Sequence, residues 1–432
     1  MELTNLVAVD EFPSLPDQAP SEVYVIRNIG LRDGTHKFHR YPGKFIPHVP
    51  RWALKKHAAH LSGGVVIDPF CGSGTVLVES ALAGQMGFGF DVDPIARLVS
   101  KVKTTPLDER RLLSYQEQVT EYVSSTASGT FQPKIPTLPH WFSQQAIRDL
   151  SILRDAIDLF RSDADIYDFL LVVFLAIIRR SSNADNQTQK TYVSHTHPKT
   201  PEAAKPLFLT TLQDYVDRIL EFGQLVRLMG GKGEVLGPWD ARAFAELWQS
   251  RELPFADLAI TSPPYVMTVD YVYNQMAEYF WIGDLFGLST QDEQNEHKQM
   301  YIGTQKVSRT TYASEFRLGI SSIDETIAFV SDKDTKNGYI IYKYFSDMKI
   351  HFSEMARILR PGAHYVMVIG DSIISGFPIE THTLIEQCAT EVGFVQEHSF
   401  AYEIRNRHMR FPRAGRGGLV KYDWIVDFRL DR

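Results

Sequence analysis

Residues 63 to 84 run GGVVIDPF, CGSG, TVLVESALAG: an apolar β-branched stretch, a glycine turn and a helix-period segment in immediate succession. A second strand pattern follows at 87–93 (GFGFDVD), and another helix opens at Pro94. A helix between two strands carries the chain back to the edge it started from, so such strands pair in parallel and bury both faces. The strand pattern resumes with GEVLGPWD at 233–240 and DLAITSPPY at 257–265, then HYVMVIGD, EHSFAYEI and YDWIVDFRL. The expected fold is therefore α/β, a Rossmann-like, seven-stranded, mostly parallel sheet with a helical insertion. An amphipathic helix with Phe345, Met348, Phe352, Met355 and Leu359 on one face is expected to stop at Arg360-Pro361-Gly362.

The expected division is an N-terminal extension at 1–35, an α/β domain made of 36–106 and 233–432, and a helical insertion at 107–232, with 288–338 as a polar surface excursion within the α/β domain. At 44% hydrophobic residues, a chain of 432 has material for a full core. Its longest apolar run, FLLVVFLAII at 169–178, is half the roughly 20 residues that cross a bilayer, which reads as a buried helix and no membrane partner. No basic-then-apolar leader opens the sequence, and two cysteines, Cys71 and Cys388, are too few for a disulfide framework or a thiolate zinc site. Both features fit a reducing cytoplasm.

The turn DPFCGSGT at 68–75 lies where backbone N–H groups and absent side chains let a ligand approach closely. A nucleotide P-loop needs Lys after the last glycine, and Thr75 stands there; a dinucleotide fingerprint needs a third glycine, and Gly72 and Gly74 are followed by Thr75, Val76 and Leu77. Asp68 at the strand tip repels phosphate but holds a cationic amine. Asp91 ends the next strand, where a carboxylate accepts from ribose hydroxyls, and Asp240 ends the third, placed to accept from an adenine amino group. A nucleoside with a cationic amino-acid tail satisfies all three, and S-adenosylmethionine is such a molecule. Taken singly, each acid also reads as a helix N-cap.

The strand at 257 ends in Ser262-Pro263-Pro264-Tyr265. Two prolines forfeit ladder hydrogen bonds and hold their predecessors extended, which makes a stiff rim of acceptors with few donors. An exocyclic amine on a nucleobase has two hydrogens to donate and a delocalised lone pair. Ser262 Oγ and the Pro263 carbonyl, one hydrogen each, would draw that nitrogen toward tetrahedral geometry. Tyr265 would stack on the base: extrusion costs a few kcal/mol and stacking returns about 1–3 kcal/mol. The blander reading is a strand terminator with Tyr265 as core filler.

Together, DPFCGSGT, FDVDP and TSPPY resemble the motifs of the amino-methylating DNA methyltransferases, which use S-adenosylmethionine to modify cytosine N4 or adenine N6. The resemblance covers about 36–100 and 233–428 and implies cofactor contacts from Asp68, Pro69, Phe70, Gly72, Gly74, Thr75 and Asp91, beside the Asp240 contact expected from its strand-tip position. HKFHRYPGKFIPHVP resembles a family element lying before the cofactor motif, which implies Tyr41, Lys44 and Phe45 at the methionine end. Serine before Pro-Pro is similar to the N4-cytosine branch more often than to the adenine branch, although a hydroxyl suits either base. The activity expected is thus site-specific N4-cytosine methylation of a flipped base in double-stranded DNA, with N6-adenine methylation as the alternative and a cognate restriction endonuclease as the partner such enzymes act beside. An RNA base methyltransferase and a non-catalytic nucleic-acid-binding subunit are further readings.

A net charge of −7 opposes non-specific polyanion binding, which leaves local patches to grip DNA. Arg405, Arg407, Arg410, Arg413 and Arg416 form one such run, against a single acid, Glu403. They are expected to hold phosphate while 107–232 and 288–338 read sequence; a solvated hairpin and a plain scaffold are the competing readings. Asp270 is expected to cap a helix rather than accept a proton. His195 and His197 lack a third ligand nearby, Cys71 lacks a base partner, and no Pro-Cys pair for ring-carbon methylation is present.

Overall fold

In a computed structural model, which describes residues 5–14, 22–27, 34–44, 46–133, 135, 137–186, 190–267, 270–312, 315–403 and 422–431, the apolar runs form the strands of one large sheet. In chain order the strands are β1 (Asn5–Val9), β2 (Glu22–Ile26), β3 (Val65–Asp68), β4 (Met86–Gly89), β5 (Lys232–Val235), β6 (Ala256–Thr261), β7 (Leu359–Gly370), β8 (Ser372–Ile374), β9 (Phe377–Ile379), β10 (Phe394–Glu403) and β11 (Tyr422–Leu430). β8 and β9 make a separate antiparallel hairpin, and the other nine pair in the order β1-β2-β10-β11-β7-β6-β3-β4-β5. Among the described residues, only β11 is antiparallel to its neighbours in that sheet.

All seven expected strands are present. The sheet is nevertheless nine-stranded, because NLVAV and EVYVI, in the stretch expected to be an extension, pair with each other and reach β10 through Val23 and Tyr24. These five-residue strands sit at an edge, and among the described residues no helix lies between them, so no alternation announces them.

Alternate side chains of the buried strands enter opposite cores, as a period of two demands. Val66, Leu258, Ile260, Val366, Val368 and Ile425 face helix His48–His57, while Val65, Ile67, Ala259, Tyr365, Met367 and Val426 face helix Thr335–Ile358. Both faces are covered, which is why these strands read as continuous apolar runs. Phe345, Met348, Phe352 and Met355 are all buried as expected, and the helix yields at Leu359, which pairs with Ala256 as β7 begins.

Helices Glu109–Ser125, Gln144–Asp158, Ala164–Ser181 and Ala204–Met229 share a third core with Val78, Ala81, Ile95 and Val99 from the helices that follow β3 and β4. The run at 169–178 is buried within it, and among the described residues no helix is long and apolar enough to cross a membrane. Among the described residues, the polar 288–338 stretch holds the helices Gln291–Gln299 and Ser321–Ser331, a 3-10 turn at Arg309–Tyr312 and the start of Thr335–Ile358; the first begins at a reciprocal capping box between Thr290 and Glu293.

The chain runs β3, β4, β5 outward in one direction and then returns to place β6 on the other side of β3. At such a reversal the loops leaving the two strands diverge and open a crevice at their carboxyl ends. Asp68 and Ser262 emerge on its two sides.

Candidate active site

Thr261, the last residue of β6, donates its hydroxyl to Asp68 Oδ1 at 2.6 Å, and the Phe70 amide donates to the same oxygen at 3.1 Å. Asp68 Oδ2 is buried and has no partner among the described residues. An ionised carboxylate with one oxygen idle in a desolvated place favours a proton, and burial raises Asp68 to about pKa 7. Asp91 accepts from the Gly72 amide (2.9 Å) and the Asp93 amide (2.9 Å); burial first, then the Asp93 charge, raise it to about 7 as well. Each is a carboxylate whose charge waits for a cationic or donor-rich ligand.

The loop between them is held by Gly74, whose φ is +79° and where a Cβ would stand 3.0 Å from Ser100 Cα, so no side chain fits. It caps helix Thr75–Leu82, which therefore presents its N-terminus to the crevice. A solvent-open cleft lies there. Its walls include Tyr41, Lys44, Pro69, Phe70, Gly72, Thr75, Asp91 and Asp240 among the expected cofactor residues, and Ser262 and Pro264 from the SPPY rim. Asp68, Gly74, Pro263 and Tyr265 are not among the lining residues. Phe45 and the arginines 405, 407, 410, 413 and 416 lie outside the described residues.

Three placements differ from simple expectation. Asp240 is engaged on both oxygens by Arg242, through its amide and Nε (each 2.9 Å) and Nη2 (2.6 Å), so an adenine amine there would share an occupied acceptor. Tyr265 directs its hydroxyl to Asp423 Oδ1 at 2.9 Å. Lys44 donates to the His36 carbonyl, and burial lowers its ammonium to about pKa 8, a state that an anion would reverse.

Tyr271 and Tyr301 line the cavity without belonging to any motif. Tyr41, Tyr271 and Tyr301 stack in series, centroids 6.0 and 5.6 Å apart. Asp93 gathers them: its Oδ2 accepts from Tyr301 (3.0 Å), Gln275 (3.2 Å) and Tyr41 (3.5 Å), while Oδ1 caps the helix that starts at Pro94. Arg242 Nη2 donates to the Met300 carbonyl at 3.0 Å and so fastens the 288–338 stretch to the wall. Trp239 also lines the cavity, and its place beside Asp240 is the signal that could have found it, since the residue before a strand-tip acid borders the same crevice.

Asp270 caps the helix at Tyr271, accepting from the Tyr273 amide at 2.9 Å. Cys71 is buried against Gly89, and burial pushes its thiol well up, which suits packing and not nucleophilic attack.

The family model described as UPF0020, RMKL-like methyltransferase domain, matches residues 52–106. The Type II methyltransferase M.MvaI of Kocuria varians is 24% identical over 409 residues, 88% of this chain and 87% of that protein. The Type II methyltransferase M.MjaII of Methanocaldococcus jannaschii is 40% identical over 77 residues, 18% of this chain and 14% of that protein. Among solved structures, a putative DNA modification methylase of Thermus thermophilus in complex with S-adenosyl-L-methionine matches at a TM-score of 0.21 and 15% identity, over 45% of this chain and 51% of that one. By these matches the chain is similar to S-adenosylmethionine-dependent DNA methyltransferases. Its cofactor is S-adenosylmethionine, and the Asp91 carboxylate and the side-chain-free Gly72 on the cavity wall suit a ligand with donor groups and a close-packed tail.

Proposed function

We propose that this chain methylates N4 of a cytosine extruded from double-stranded DNA, at a specific sequence. The observation that carries the reading is that Ser262 and Pro264 line one cavity with Gly72, Thr75 and Asp91. A cofactor and an acceptor amine bound there would be neighbours, and proximity alone supplies much of a transfer barrier. S-adenosylmethionine supplies an electrophilic methyl group on sulfonium.

The residues of the chain hold and polarise. Asp68 and Asp91 take the ammonium and the ribose hydroxyls, with Lys44 toward the carboxylate. Ser262 Oγ and the Pro263 carbonyl each accept one amine hydrogen, which turns the nitrogen lone pair out of the base plane. Tyr265 offers a clamped ring beside the base. The surplus proton leaves the alkylated nitrogen for solvent. The helical 107–232 region, the 288–338 stretch and the 405–416 arginines are assigned to DNA, and a cognate endonuclease is the expected companion in the cell.

Expression in a methylation-free bacterial host followed by modification-sensitive sequencing tests this. The reading expects one recurrent motif carrying N4-methylcytosine; N6-methyladenine at that motif would move the assignment to the other amine, and an unmarked genome would remove DNA as substrate.

A further inference from the structure

On the helix-covered face of the sheet, away from the cavity, three adjacent strands bring His364 (β7), Asp427 (β11) and His398 (β10) into a row, with His398 directly opposite Asp427 in register. Helix His48–His57 crosses above and lowers its last residue into the row. His57 Nε2 lies 3.1 Å from Asp427 Oδ2 and His364 Nδ1 lies 2.9 Å from Asp427 Oδ1. The two imidazoles are stacked with centroids 3.8 Å apart, and one ligand atom from each of the three residues falls within 4.8 Å of the others. Asp427 is fully buried. His398 keeps a buried Nδ1 that has no partner among the described residues.

We propose that His57, His364 and Asp427 bind a divalent transition-metal ion of the zinc type, with His398 supplying a fourth ligand from the neighbouring strand. Two or three imidazole nitrogens with one carboxylate select such a borderline ion over Mg²⁺ or Ca²⁺, which take oxygen donors. Bonds of about 2.0–2.1 Å in a tetrahedron put ligand atoms roughly 3.3 Å apart, against 3.1 Å from His57 Nε2 to Asp427 Oδ2 and at most 4.8 Å across the three residues. Lys56 Nζ, 3.3 Å from Asp427 Oδ2, holds the carboxylate in the metal-free protein and would swing outward, its side chain being partly exposed. The ion would join residues 370 apart in sequence and pin helix His48–His57 to the strands beneath it. That role is structural and independent of methyl transfer.

The test is calorimetric titration of the chelator-treated full-length protein with Zn²⁺ and, separately, Mg²⁺. Expected are one Zn²⁺ per chain, no Mg²⁺ at this site, and a loss of at least about tenfold in Zn²⁺ affinity on His57→Ala and on His364→Ala. Zn²⁺ should raise the melting temperature of the wild type and not of either variant. His57 ends its helix, so His57→Ala is the variant least disturbing to the sheet, and retained heat on titrating S-adenosylmethionine confirms that it is folded. Absence of Zn²⁺ binding overturns the proposal. So does binding that survives both substitutions, or that disappears only when the exposed His195 and His197 are replaced.

Discussion

The hydroxyl of Tyr265 donates to Asp423 at 2.9 Å, and the same carboxylate accepts from Tyr402 at 3.2 Å, so the last residue of the SPPY rim is anchored to the strand that runs antiparallel in the sheet. Gly370 leaves room for the ring: a Cβ there would stand 2.5 Å from Tyr265 Cε2. The ring plane is therefore set by β7 and β11, not by the rim itself. Tyr265→Phe should cost about 1.5–3 kcal/mol, the scale of a hydrogen bond to a charged group, measured by urea denaturation. Gly370→Ala, which displaces the ring, should lower methyl transfer while leaving the S-adenosylmethionine affinity within about threefold, because the cofactor loop is untouched.

Asp68 makes cofactor-free stability depend on pH in a definite direction. Folded Asp68 keeps its proton to about pH 7, whereas an unfolded aspartate releases it near 3.8. The folded state binds more protons between those values, so stability falls as pH rises through that window. Asp68→Asn should therefore stabilise the cofactor-free protein at pH 8, by on the order of a few kcal/mol, and do little at pH 4. Thermal melts at the two pH values check it.

On the proposed reading, in which Asp68 takes the cofactor's ammonium, the same titration governs cofactor binding. An ammonium gains most from an ionised carboxylate, so affinity for S-adenosylmethionine should tighten between about pH 6 and pH 8, by up to about tenfold per unit for one group. Replacing Asp68 with Asn should flatten that dependence and weaken binding at pH 8. Calorimetry across the range distinguishes this from a pH-independent site.

Gly74 is both left-handed and crowded by Ser100. Gly74→Ala should destabilise the protein by at least about 2 kcal/mol, since left-handed backbone alone costs roughly 1–2 kcal/mol for a residue with a Cβ, and should abolish cofactor binding. A variant that melts like wild type and binds normally contradicts this account of the loop.

Much of this architecture was legible because parallel strands covered on both faces must be apolar throughout: VVID and DLAIT declare themselves, and the glycine turn between β3 and its helix has few chemical uses. Asp270 as a cap followed from its place before a helix. What escaped depends on contacts distant in sequence. Tyr265 and Asp423 are 158 residues apart, and nothing near TSPPY hints at the anchor. Tyr301 joins the cavity because Asp93, 208 residues earlier, accepts its hydroxyl, and the polar surroundings at 288–300 conceal it. The engagement of Asp240 by Arg242, only two residues on, was visible in principle, since an arginine so near a strand-tip acid competes for it. β1 and β2 are only five residues each, with no helical pattern between them in the sequence to mark them as a parallel pair.

The most direct measurement incubates purified protein with unmethylated duplex DNA and S-adenosylmethionine carrying a deuterated methyl group, then digests the DNA and weighs the nucleosides. Wild type should yield deuterated N4-methylcytosine, and Ser262→Ala at least about 100-fold less, the scale of losing one polarising contact in a dry site, with cofactor affinity preserved. Labelled product from Ser262→Ala at the wild-type rate, or no label in DNA from a protein that binds the cofactor, would contradict the claim that the SPPY rim activates an amine beside the bound methyl donor.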